Sequence, residues 1–88
     1  MTPEQTALAR RALGLPNNLA RSSRNYASVH PDARAYAPWM EMVEAQLATV
    51  EKVGLSGRVF TLTRAGAEAA LEPHERLDPA DFPPIHAD

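Results

Sequence analysis

The 88-residue chain predicts an α+β fold, mostly helical, with three to four helices and one two-stranded β-hairpin. Three observations predict it. Trp39, Met42, Val43, Gln46/Leu47 and Val50 recur at a period of about 3.6 residues, as in a helix with one buried face. Arg58-Val59-Phe60-Thr61-Leu62-Thr63 alternates at period two behind Gly54-Leu55-Ser56-Gly57, as a strand does on leaving a hairpin turn. Thr2-Pro3 and Gly14-Leu15-Pro16 bracket the first segment with a helix start and a helix stop.

The elements follow in order. Thr2 and Gln5 have capping-box spacing and Leu8, Ala12 and Leu15 lie on one face, so a helix is expected over 3–13. Arg10 and Arg11 fall in its last turn, where the helix dipole favours cations. Residues 16–31 read as loop, with Leu19, Tyr26 and Val29 pinning it to the core. Residues 32–47 read as a short helix followed by a second one from Pro38, because proline disfavours helical backbone at Ala37. The hairpin then takes 49–53 and 58–63 around a four-residue connection, with Phe60 and Leu62 inward and Arg58 outward near its tip. Thr63 caps a last helix over 64–71, and Pro73 ends it. These elements make one domain, 1–72. Residues 73–88 hold four prolines and read as a flexible acidic tail anchored by Phe82 and Ile85.

Composition narrows the functions. The chain has no cysteine, which removes disulfides, thiolate metal sites and cysteine nucleophiles. Sixteen alanines leave only twenty-two larger apolar residues beyond Met1, too few for a large enclosed active site. No apolar run suits a membrane span, and Met1–Gln5 carries no signal-peptide pattern, so a bacterial cytoplasmic protein without membrane contact is expected. The net charge of −2 hides an asymmetry. Residues 1–40 carry five arginines against Glu4 and Asp32, a net +3, whereas residues 41–88 are at −5.

No catalytic constellation is present, and no cofactor or metal is expected. The histidines 30, 74 and 86 are scattered, and no serine has the glycine context of a nucleophile elbow. His30 reads as a helix cap. The richest segment is Arg21-Ser22-Ser23-Arg24-Asn25-Tyr26, whose arginines can hold phosphates while Tyr26 stacks on a base. Arg34, and Arg58 on the hairpin, extend it. The other reading is a solvated loop with Tyr26 in the core and the arginines paired with Asp32 or Glu51. Tyr36 and Met40, beside Pro38, form a candidate protein interface.

Helix, loop, helix pair, hairpin and short helix is a winged-helix-like layout. Met42–Leu47 leading into a hairpin that exits through Phe60-Thr61-Leu62-Thr63-Arg64-Ala65-Gly66 looks like the wing exit of many bacterial winged-helix regulators. With Arg24-Asn25-Tyr26 ahead of a Trp-containing helix, residues 4–71 also resemble a group of small uncharacterised phage and prophage proteins. Two features depart from that group: Gln46 stands where glycine is usual, and the hairpin connection is short. The resemblance implies a non-enzymatic phage or prophage accessory protein acting through contact with a host or phage protein, as a monomer or weak homodimer. The alternative is a small DNA-binding transcriptional regulator using residues 21–34 and the wing, because helix 38–47 carries no Lys or Arg for phosphate contact.

Overall fold

A computed structural model describes residues 1–84. Its elements are α1 (Pro3–Ala12), β1 (Ala27–Val29), α2 (Tyr36–Glu44), β2 (Ala48–Val53), β3 (Gly57–Leu62) and α3 (Arg64–Ala70). The three strands form one antiparallel sheet in the order β1-β3-β2. The chain is thus a small α+β domain with three helices and a three-stranded antiparallel sheet. The sheet has one strand more than the expected lone hairpin. β1 has only three residues and pairs Ala27 with Phe60 and Val29 with Arg58. Its own sequence carries little strand preference, and pairing with β3 supplies the rest.

α1 begins as its capping box dictates: the Thr2 side chain accepts from the Gln5 N–H, and Gln5 reciprocates. Its end is a Schellman turn. Gly14 sits at φ +77°, Leu15 N–H reaches Arg10 O at 2.9 Å, and Gly14 N–H reaches Arg11 O at 3.1 Å. α2 ends in the same motif, with Leu47 N–H on Met42 O at 2.8 Å and Gln46 N–H on Val43 O at 3.0 Å. There a glutamine occupies the left-handed position, at φ +63°. The junction that departs from the glycine pattern therefore keeps the glycine conformation.

Two expectations about this region are corrected. Residues 31–35 are turns, and a single helix starts at Tyr36, so Pro38 lies in the first turn, where its missing N–H costs nothing. The helix stops at Glu44, short of the expected 47, and Val50 lies in β2, within the hairpin strand expected for it.

The core centres on Trp39, Met42, Leu13, Phe60 and Leu62. The Trp39 and Phe60 rings stack at 5.1 Å, and Tyr36 meets Phe60 edge-on at 5.9 Å. Burying each large side chain contributes roughly 1.5–3 kcal/mol. α3 closes the domain with small residues. Its Gly66, Ala67 and Ala70 are buried, and Gly66 lies against the backbone of Leu47.

Residues 73–84, expected as the start of the tail, run back along the first quarter of the chain. Arg76 forms a parallel bridge with Arg21, Asp78 N–H donates to Ser22 Oγ at 2.7 Å, and Phe82 is buried. Arg10 grips the Glu75 carboxylate with both ends of its guanidinium, Nη2 to Oε2 at 2.7 Å, and also donates to Ala70 O. Prolines and acids describe local conformation and carry no information about such distant partners. Ile85 lies outside the described residues.

Candidate functional site

The segment from Ser23 to Ala35 leaves a groove of about 350 Å³ against α1, which Arg11, Arg24, Tyr26 and His30 line over a floor that includes Val29 and Trp39. Each wall has a local cause. Arg11 belongs to the last turn of α1. Arg24 donates from Nη2 to Arg11 O at 2.9 Å, capping the carbonyl end of that helix. One of its five N–H groups is used this way. Its guanidinium also lies 5.8 Å from the Tyr26 ring centroid. Tyr26 N–H donates to Ala12 O at 3.3 Å, which ties the strand to the helix and leaves the ring 54% exposed. His30 Nδ1 accepts from Asp32 N–H at 3.1 Å. It caps the turn at 30–33, whereas α2 has no side-chain cap.

Asn25 fixes the register beneath this groove. Its side chain donates to Leu62 O at 3.0 Å and accepts from Leu62 N–H at 2.8 Å. An amide side chain thereby stands in for a strand residue and extends the β1 ladder by one pair. Arg24 and Tyr26 flank it and are held where that pairing puts them. Nothing local to the Arg24-Asn25-Tyr26 triplet signals this role for Asn25, since the partner is thirty-seven positions away.

The expected site residues fall into three groups. Arg24 and Tyr26 meet in the groove, joined by Arg11, which was read only as a helix-end charge. Arg34 is exposed between Ala33 and Ala35, two further lining residues. Arg21 is exposed beside Arg76. Arg58 is not outward at the tip. It shares the inward face of β3 with Phe60 and Leu62, is half-buried opposite Val29, and donates to Gly57 O at 2.9 Å. Tyr36 and Met40 are also half-buried and pack against the core, so they form no open patch.

Electrostatics separate the two readings of the arginines. Among the described residues, none of Arg11, Arg21, Arg24, Arg34 and Arg58 has a carboxylate within 4.0 Å; only Arg10 and Arg64 do. The pairings with Asp32 and Glu51 do not form, and Tyr26 is not in the core. By contrast, the Arg10 pair is internal. Hydrogen bonding from Arg10, aided by the Glu72 N–H and opposed by burial, holds the Glu75 carboxyl down at about 2, and the same pair raises Arg10. Glu72 and His74 lie close to Glu75, within 4.8 Å among their ligand atoms. The guanidinium already supplies the counter-charge there, so this cluster is the surround of an ion pair.

The second exposed feature is the hairpin. Leu55 at its tip is fully exposed and Val53 is 52% exposed, on a strand whose outer edge meets no other strand among the described residues. Among the described residues, no helix is long and apolar enough to cross a membrane. Comparison with family models, curated proteins and solved structures found no match to this chain.

Proposed function

We propose that this chain is a non-enzymatic phage or prophage accessory protein that works by binding, and that its groove holds a single-stranded nucleic-acid segment. The observation that carries the reading is the pairing of Arg24, without a carboxylate partner, with an exposed Tyr26 at the mouth of a groove also lined by Arg11. An arginine beside a stacking aromatic is the arrangement that holds one phosphate and one base without reading sequence. Duplex reading through α2 lacks support: Glu41 and Glu44 are exposed on it, and it has no cation. The phage assignment rests on the resemblance of the Arg24-Asn25-Tyr26 triplet and the hairpin exit. The sheet order β1-β3-β2 is compatible with a winged-helix-like layout, with one helix in place of the expected pair.

The test is anisotropy of a labelled oligothymidine at low and moderate salt. Tyr26→Ala is expected to weaken binding about 5- to 150-fold, the equivalent of roughly 1–3 kcal/mol per stacked base. Arg24→Gln is expected to reduce the logarithmic salt slope by about 0.7. No binding at low salt sinks the proposal.

A second reading, contact with a host or phage protein, is favoured by the hairpin. It presents an open strand edge with Val50, Val53 and Leu55 at its surface, a combination suited to strand addition.

A further inference from the structure

The free edge of β2 has a definite hydrogen-bonding phase. Asn25 takes both backbone groups of Leu62, so Leu62, Phe60 and Arg58 direct their N–H and C=O groups toward β1. Backbone direction alternates along a strand. Gly57, Val59 and Thr61 therefore face β2, where they meet Val53, Glu51 and Thr49. The bond from Thr63 N–H to Leu47 O at 3.1 Å has the same phase. It follows that Ala48, Val50 and Lys52 direct their backbone groups away from the sheet, into solvent at the exposed Val50 and Lys52.

We propose that this edge pairs with the same edge of a second copy, antiparallel about Val50, joining two three-stranded sheets into one of six strands. The proposal rests on the protein-contact reading and names its partner. Only outward-facing residues can pair with outward-facing residues, which leaves five registers; Ala48 on Ala48 overlaps at a single outward residue, so four remain to compare. One places Glu51 opposite Glu51 and another Lys52 opposite Lys52, and like charges directly opposite are destabilising. A third pairs Ala48 with Val50 and overlaps only residues 48–50, because Gln46 and Leu47 belong to the helix end. The fourth sets Val50 on Val50, Lys52 on Ala48 and Glu51 on Thr49, so every charge meets a neutral residue. It also covers the two Val50 side chains, each 36% exposed in the single chain. Glu51 and Lys52, which as edge charges discourage indiscriminate pairing, here exclude two of the alternatives, and short overlap disfavours the rest.

The absence of native cysteine makes the register directly testable. In the fourth register residues 49 and 51 face each other as a non-hydrogen-bonded pair, about 4.5 Å between Cα atoms, within disulfide reach. Sedimentation equilibrium on the full chain is expected to show a mass rising with concentration from 9.6 kDa toward twice that value. Val50→Glu, at an exposed edge position, is expected to stay monomeric with an unchanged circular dichroism spectrum. Oxidised alone, Thr49→Cys is expected to remain uncross-linked, whereas an equal mixture with Glu51→Cys forms a covalent dimer that joins position 49 to position 51. Self-cross-linking of Thr49→Cys, which keeps both edge charges, or dimerisation of Val50→Glu, overturns the proposal. A chain that is monomeric at every concentration overturns it too. If that monomer still captures a different protein through β2, protein contact survives; if it captures none, both ideas fall.

Discussion

Replacing Gly66 by alanine tests the closest approach in the fold. A Cβ built on Gly66 would lie 2.8 Å from the Leu47 carbonyl carbon and 3.2 Å from its Cα, and nearer still to the oxygen. All three obstacles are backbone atoms, so no side chain can swing aside. That same carbonyl accepts the Thr63 N–H at 3.1 Å, and the Thr63 hydroxyl caps α3 through Gly66 N–H at 3.2 Å. Relief requires α3 to move away from the end of α2, loosening the cap and the buried Ala67 and Ala70 contacts. Overpacking costs about 1–3 kcal/mol, and a rigid obstacle belongs at the upper end. The gain in helix propensity from glycine to alanine returns about 1 kcal/mol. The net loss is about 2 kcal/mol, which lowers the melting temperature by about 8–16 °C in a domain of this size. Thermal unfolding followed by circular dichroism measures it. A melting temperature equal to or above that of the parent would refute the close approach, because only the propensity gain would then remain.

The Glu75–Arg10 pair makes stability depend on acid. The folded-state value of about 2 lies below the ordinary 4.5, so the contribution is complete above pH 4.5 and is lost as pH falls toward 2. That loss is about 3 kcal/mol for a carboxylate with a 2% exposed side chain. Urea midpoints taken from neutral to acid pH should show it, and Glu75→Gln should flatten that limb; an unchanged limb in the variant places the titration elsewhere. At the end of α2, Gln46→Gly relieves a left-handed glutamine and should raise stability by about 0.5–1 kcal/mol, read as a higher urea midpoint with the same m-value. A lower midpoint means that the glutamine side chain contributes more than its backbone strain costs.

The parts of the fold legible in sequence are those encoded over short spans. Thr2, Pro3, Gln5 and Gly14 specify both ends of α1 within one turn each, and the alternation from Arg58 to Leu62 specifies β3. The parts that were not legible depend on partners dozens of positions away. β1 becomes a strand only beside β3, Asn25 acts as a strand residue only beside Leu62, and Glu75 is buried only because Arg10 reaches it. The same limit governed the candidate site. Arg24 and Tyr26 stood out by composition, but Arg11 joins them through the packing of α1, and Tyr36 and Met40 left the surface because Phe60 and its neighbours took them in. Gln46 illustrates the converse: the residue broke a pattern while the backbone kept it.

The closure between Arg10 and Glu75 spans sixty-five positions, and it sets an order in time. During synthesis α1 is made well before residue 75, so the guanidinium of Arg10 at first has no Glu75 carboxylate to receive it. The sheet can assemble once β3 has appeared. The slots for Glu75 and Phe82 stay empty until the residues behind α3 are made. The clasp can therefore close only after every strand residue has been made, and its stability is added behind that of the sheet.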